Sequence, residues 1–253
     1  MRSYMFKRFL DLFMSASVLI LTSPLLIGVM IAVWLQDFRS PIYRAPRVAR
    51  GGGEFTMMKI RSMVANASKT GVNSTGADDR RITAVGHFIR RWKIDELSQF
   101  FNVLIGSMSV VGPRPQVRNW GTDLYTSAEM RLLEVRPGIT DLASIVFSDE
   151  GNILAGANHA DLEYNRLIRP WKSRLGLFYI DNMSLAMDIR IVGLTIMAII
   201  NKQKALDGVV AILRDHAADG ELIEVCRRLV PLEPAIPPGA TKVEDGSLYG
   251  GGS

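Results

Sequence analysis

Leu12–Leu35 (LFMSASVLILTSPLLIGVMIAVWL) runs for 24 residues without a charged side chain. As a straight α-helix it would be about 36 Å long, enough to cross the hydrocarbon core of a bilayer. Any fold must therefore bury this segment in lipid or cover it with protein. Two details argue against a simple crossing. Ser23-Pro24 lies at its centre, where proline removes a helical hydrogen bond and predicts a kink. Both flanks are also basic, with Arg2, Lys7 and Arg8 before and Arg39, Arg44, Arg47 and Arg50 after, and basic flanks favour the cytoplasmic side. A helix that enters, breaks at Ser23-Pro24 and leaves on the same face satisfies both. One kinked spanning helix is the plainer alternative. The run is too long for a cleaved signal peptide, and no small-residue cleavage site leads into a polar mature region.

The chain can hold one sizeable domain with an anchor and a tail, or two small domains. Its 48% hydrophobic content is high for a soluble protein and low for a polytopic one. A net charge of +5 suits an anionic partner: nucleic acid, anionic lipid headgroups or a phosphorylated substrate. Cys226 is the lone cysteine, so no internal disulfide can form and a reducing compartment is expected. With it, the scattered His87, His159 and His216 offer no zinc site. A metal here would be a hard cation held by carboxylates and phosphate, which points to magnesium.

Beyond the apolar run, Pro41–Met63 reads as a short β-hairpin around a basic, Gly-rich turn at Arg47–Gly53, with Lys59 and Arg61 alternating with apolar residues. Ala65–Asp79 is polar and predicts a loop. Arg80–Trp92 regains helical character, and Asp95–Ile105 follows with Ile94, Leu97, Phe101 and Leu104 spaced along one face. Gly112–Pro115 and Arg136-Pro137-Gly138 are stops, and Leu162–Trp171 predicts a short helix. Met187–Ile200 is too short to span and belongs in the membrane interface or the core. Ala205–Leu229 predicts one or two surface helices, and Pro231–Pro238 an extended stretch. The last eight residues, 246–253, have the composition of a linker remnant.

Chemistry concentrates around Asp95-Glu96. An adjacent acidic pair is commonly a solvated helix start, favoured by capping and the macrodipole. Here the pair sits in an apolar sequence and follows Arg90, Arg91 and Lys93. Such cations keep a carboxylate ionised and nucleophilic and attract a diphosphate; a structural ion pair has the same composition. Arg114 is clamped between Pro113 and Pro115, so its planar donors are held with little entropy left to lose, as phosphate recognition favours. A rigid turn with an exposed Arg is the bland alternative, and Arg136 before Pro137-Gly138 has the same two readings. Gly51-Gly52-Gly53 lacks the following Lys-Ser/Thr and helix start of a phosphate loop and reads as a hairpin tip. Only Tyr43 and Phe55 fall among the basic residues from Arg39 to Arg61, too few for the stacking that single-strand binding wants, so anionic lipid is the simpler partner than nucleic acid.

Taken in order, these pieces resemble the bacterial sugar transferases, the monotopic polyprenyl-phosphate phosphoglycosyl transferases. Lys7-Arg8-Phe9-Leu10-Asp11 leads into the apolar segment, and Ser23-Pro24 falls where the family breaks its re-entrant helix. Phe55-x-Met-Met-Lys59-Ile-Arg61-Ser-Met63 is similar to the family's Phe-x-x-x-Lys-Phe-Arg-Ser/Thr-Met. Asp79-x-Arg81-Ile82-Thr83 and Gly86-x-Phe88-Ile89-Arg90 precede the dyad. Ile94–Pro115 resembles its Asp-Glu-Leu-Pro-Gln…Asn-Val-Leu-x-Gly-x-Met-Ser…Val-Gly-Pro-Arg-Pro signature, and Arg136–Thr140 and Tyr179–Asp188 complete the set.

The resemblance implies an α+β, mainly helical fold. Residues 1–36 would form a re-entrant helix-break-helix membrane hairpin, and 37–200 a compact cytosolic catalytic domain with interfacial helices. Residues 201–245 would be a C-terminal helical and Pro-rich extension. It implies transfer of a phosphosugar from a nucleotide diphosphate sugar, a UDP-sugar, to polyprenyl (undecaprenyl) phosphate, at the cytoplasmic face of the bacterial inner membrane. Nucleic acid would not be a partner, and a homodimer is allowed. Asp95 would be the nucleophile and Glu96 a base or magnesium ligand, with Mg2+ held at Asp95 and Glu96. Lys59, Arg90, Arg114 and Arg136 would bind phosphates.

Departures from the family pattern fall at Ser98, where proline is usual, and at Ser107, where an acidic residue is usual. Asp141-Leu-Ala-Ser144 stands for Gly-Trp-Ala-Gln, Gly176 for Asp, and Arg44-Ala45 for Arg-Gln. The region 141–176 therefore puts sugar recognition most in question. A catalytically inactive membrane adaptor on the same scaffold, and a tethered nucleic-acid-binding protein, are the alternatives. Neither requires carboxylates beside the arginines.

Overall fold

The computed structural model describes residues 2–67, 79–118, 122–157 and 159–244, the side chains of residues 2–4 apart. Most of the Ala65–Asp79 loop and the whole of 246–253 lie outside the described residues.

Helix α1 spans Arg2–Leu35 with Pro24 inside it. The expected helix-break-helix is thus one helical element. Its continuity has a local cause. Pro24 cannot donate to the Ile20 carbonyl, and the Ser23 hydroxyl donates to that carbonyl instead at 2.8 Å. Thr22 Oγ1 donates to Val18 O at 2.7 Å one turn earlier.

Both ends of α1 are bonded to the body of the protein. Near its start, Lys7 Nζ pairs with Asp188 at 2.6 Å and donates to Val111 O at 3.1 Å. Asp11 accepts from Ser109 Oγ at 2.9 Å and Val110 N at 3.0 Å. Near its end, Arg61 forks onto Asp37 at 2.5 and 2.6 Å. In between, Leu19, Leu26, Val29 and Val33 pack with Ile60, Ile89 and Ile94 in one apolar cluster, worth about 1.5–3 kcal/mol for each fully buried side chain. The opposite face leaves Phe6, Phe9, Phe13, Ile20, Leu21 and Ile27 exposed. Met5–Leu35 is long and apolar enough to cross a membrane, by length and composition alone.

The predicted hairpin forms: β1 (Ile42–Val48) pairs antiparallel with β2 (Glu54–Ile60) through a turn holding Gly51 and Gly52 at positive φ. Next come α2 (Ala84–Arg91), α3 (Ile94–Leu97) and α4 (Gln99–Ile105). The single amphipathic run read from Asp95 to Ile105 is two short helices meeting at Ser98. Its predicted face is also displaced. Phe101 is exposed, while Gln99, Asn102 and Val103 are buried. Asn102 is drawn inward by the free edge of β2. Its amide accepts from Met58 N at 2.9 Å and donates to Thr56 O at 2.7 Å, matching one backbone acceptor and one donor that would otherwise be orphaned.

Strand β3 (Ser109–Val111) lies parallel to β4 (Gly138–Thr140). The C-terminal half is helical: α5 (Leu142–Val146), α6 (Glu150–Ile153), α7 (Ala160–Glu163), a π-helical turn at Tyr164–Ile168, then α8 (Arg169–Asp181). The short helix expected at Leu162–Trp171 is thus part of a longer one. Helix α9 (Leu185–Ile200) buries Met187 and Ile191 and exposes Ile189, Ile196, Ile199 and Ile200. Helices α10 (Lys202–Asp215) and α11 (Gly220–Arg227) contribute Leu206, Val209, Ile212, Leu213, Leu222 and Cys226 to the same core as Val103, Val146 and Leu175.

Candidate active site

The dyad is presented by a strained connection. Lys93, between α2 and α3, adopts φ +52°, a left-handed conformation uncommon for a side-chain-bearing residue. This bend starts α3 abruptly. Ile94 goes into the apolar cluster with α1, and Asp95 and Glu96 occupy the first turn, where the helix dipole favours negative charge. Ser98 Oγ lies 3.0 Å from Asp95 O and 3.1 Å from Met58 O, tying α3 to β2.

Arg114 arrives from the other side. A Cβ on Gly138 would stand 2.2 Å from Gly112 N, and one on Gly112 would stand 2.5 Å from Arg136 O. Only glycine lets these two backbones touch. That contact holds Pro113 at the start of β4, where Gly138 N donates to Pro113 O at 3.0 Å. Arg114 N donates to Asp141 Oδ2 at 3.1 Å, and its Nη2 donates to Glu96 Oε1 at 2.5 Å. Lys59 Nζ stands 3.6 Å from Asp95 Oδ2, close enough to pair and longer than a hydrogen bond. The two carboxylates and two cations therefore alternate.

Their environments differ. Burial pushes the Asp95 carboxyl above its ordinary value, and Lys59 only partly offsets it. Burial also opposes ionisation of Glu96, but Arg114, Lys59 and Lys93 outweigh it and hold this carboxyl at about 2. The Lys59 ammonium is lowered, chiefly by burial and then by Arg114. Arg114 is raised, first by Glu96. Glu96 is thus committed to Arg114, whereas no strong hydrogen bond from the described residues holds the Asp95 carboxylate down.

Of the residues singled out from sequence, Lys59, Asp95, Glu96 and Arg114 come together. Arg90 donates through Nε to Ser62 Oγ at 2.9 Å; burial lowers its pKa from the ordinary value, and Asp95 offsets this in part. Arg136 stands apart from the dyad. Its Nε donates to Gly106 O at 2.8 Å, and its side chain lines a different cavity with Lys7, Arg8 and Tyr179. Arg8 reaches the Val103 and Leu104 carbonyls at 2.7 and 3.1 Å, so both guanidiniums serve the C-terminal end of α4, where cations offset the helix dipole. Two residues escaped the sequence reading. Asp141 orients Arg114 and caps α5, and Arg47 adds to the positive field at Lys59. The strand register held a signal for Arg47: it pairs with Phe55, on the face that carries Met57 and Lys59.

Among the described residues no group of three or more His, Cys, Asp or Glu side chains is arranged to hold a metal. The adjacent carboxylates of Asp95 and Glu96 suit magnesium all the same, since that ion commonly takes one or two carboxylates and completes its shell with phosphate and water.

The bacterial sugar transferase family model matches residues 2–202. The chain is 33% identical, over 77% of its length, to the UDP-N-acetylgalactosamine-undecaprenyl-phosphate N-acetylgalactosaminephosphotransferase of Aeromonas hydrophila, covering 43% of that protein. It is 35% identical, over 78% of its length, to the UDP-glucose:undecaprenyl-phosphate glucose-1-phosphate transferase of Klebsiella pneumoniae, covering 41% of it. The uncharacterized sugar transferase EpsL of Bacillus subtilis is 32% identical over 77% of this chain, with 87% of that relative covered. The chain spans less than half the length of the first two.

Proposed function

This chain belongs to the bacterial sugar transferase family, and on that premise we propose that it transfers a sugar 1-phosphate from a UDP-sugar to undecaprenyl phosphate. The observation that carries the reading is the unequal dyad: a half-buried Asp95 whose carboxylate has no short hydrogen bond among the described residues, beside a Glu96 locked to Arg114. An Asp95 oxygen attacks the sugar-bearing phosphorus, and the bond from that phosphorus to the bridging oxygen breaks. UMP leaves with the electron pair. The resulting aspartyl phosphosugar is attacked at the same phosphorus by an oxygen of undecaprenyl phosphate, which frees the Asp95 carboxylate and gives undecaprenyl diphosphosugar. Lys59 and Arg114 offset charge on the phosphoryl oxygens, with Arg90 adding to the local positive field. Glu96 at about 2 is too weak a base for neutral pH, so its role is to position Arg114 and bind metal.

Magnesium would be held by Asp95 and Glu96 and would neutralise charge on the donor diphosphate. Incubating the protein with UDP-sugars, Mg2+ and undecaprenyl phosphate should release UMP. EDTA should lower that release by at least about 100-fold; full activity after thorough chelation would exclude the metal.

The same reading puts the protein on the cytoplasmic face of the inner membrane, with α1 bent at Pro24 within the lipid so that both its ends lie on that side. What supports this is that Lys7 and Asp11 near one end and Asp37 beyond the other bond to a single body, which cannot sit on both sides of about 30 Å of hydrocarbon. Cysteines placed at Met5 and Ser40 should both react only with reagents that reach the cytoplasm; the native Cys226 is buried and silent. Labelling of position 5 from outside intact cells would restore the spanning helix.

A further inference from the structure

Arg114 has a second neighbourhood, away from Glu96. Its side chain forms one wall of a cavity, partly open to solvent, between the Pro113–Gln116 loop, α5 and α8. The charged groups that line this cavity are already engaged. Lys172 is paired with Glu150, Arg169 and Ser173 bond to Glu129, and Asp141 accepts from the Arg114 and Ser144 amides. What remains to meet a ligand is neutral. Ser144 Oγ is buried and has no hydrogen-bond partner among the described residues. The Tyr164 hydroxyl accepts from Gln116 Nε2 at 3.3 Å and keeps its own proton to donate. Tyr125 contributes an aromatic wall, and Leu132 and Ala143 contribute apolar surface.

We propose that this cavity is the subsite for the sugar ring of the donor, with the Ser144 hydroxyl as its specificity-determining group. The inference rests on the transferase reading above. In that reaction the sugar is bonded to the phosphorus that Asp95 attacks, so the ring must lie next to the phosphate held at Arg114. A pyranose offers neutral hydroxyls that donate or accept, and C–H faces that lie on aromatic and apolar walls. Ser144, Tyr164 and Gln116 answer the hydroxyls, and Tyr125 with Leu132 answers the faces. An isolated anion would find no unengaged cation among the charged groups of this cavity, and a buried hydroxyl without a partner is costly unless a ligand completes it.

The test uses the full-length protein with Mg2+, undecaprenyl phosphate and four donors: UDP-glucose, UDP-galactose, UDP-N-acetylglucosamine and UDP-N-acetylgalactosamine. UMP release gives kcat/KM for each, and inhibition by added UMP gives a measure of nucleotide binding. Ser144→Ala removes a hydroxyl with no partner among the described residues, so the melting temperature should be unchanged. It should lower kcat/KM for the preferred donor about 10- to 100-fold and change the ranking of the four, with inhibition by UMP unaltered. Tyr164→Phe should shift the ranking in the same assay. A uniform loss across all donors together with weaker UMP inhibition would place the nucleoside in this cavity and overturn the proposal. An unchanged ranking in both variants would overturn it as well. If the unsubstituted protein turns over no donor, the transferase reading fails first and the subsite falls with it.

Discussion

Asp95→Asn is expected to lower sugar-phosphate transfer by about 10⁴-fold or more, on the scale seen when a nucleophile is removed. The substitution keeps the side-chain volume and deletes the anionic oxygen. Asp95 makes its closest ionic contact with Lys59 at 3.6 Å, and its burial disfavours the charge, so loss of that charge should cost the fold little. The sharper readout is covalent. With radiolabelled UDP-sugar and no lipid acceptor, the unsubstituted protein should retain label after denaturation and Asp95→Asn should retain none. Label that persists in the variant, or that never appears on active protein, would remove Asp95 from the nucleophile's role. Arg114 cannot give so clean a result, because truncating it also strips Glu96 of its 2.5 Å partner.

The largest effect on stability is expected at a buried ion pair behind the wall of the Arg114 cavity. Glu129 is fully buried and accepts from Arg169 through both oxygens, at 3.1 and 2.6 Å, with Ser173 Oγ at 2.6 Å and Thr126 N at 3.0 Å completing its shell. Glu129→Ala leaves the Arg169 guanidinium buried and uncompensated, which typically costs about 3–5 kcal/mol. For a chain of this size that corresponds to a melting temperature lower by roughly 10 °C. Replacing both partners by methionine should recover much of the loss, because no uncompensated charge then stays inside. A Glu129→Ala protein that melts within a degree or two of the parent would show that the pair is not a stabilising element. Sequence reading passed over this pair, since neither residue stands in a motif and the two meet only when α8 folds against the turn at Glu129–Glu134.

Features governed by neighbours along the chain were legible from the residues alone. The apolar run has the length of a helix, although the break read at Ser23-Pro24 lies inside one helical element, and the Gly-rich turn closes the hairpin β1–β2. The acidic pair and the Pro-Arg-Pro loop were legible for the same reason, because backbone restriction and charge adjacency are local. Tertiary packing decided the rest. It turned Asn102 inward to satisfy the β2 edge and left Phe101 outside. It drew α10 and α11 into the main core. It brought Lys59 to Asp95 by laying β2 against α3, and it set Arg114 on Glu96 through the glycine contact of β3 with β4. Arg136, outwardly equivalent to Arg114 in sequence, went instead to the carbonyl end of α4. Side chains of the same type differ in their partners because charge pairs are chosen by distance in space, which no spacing along a single chain contains.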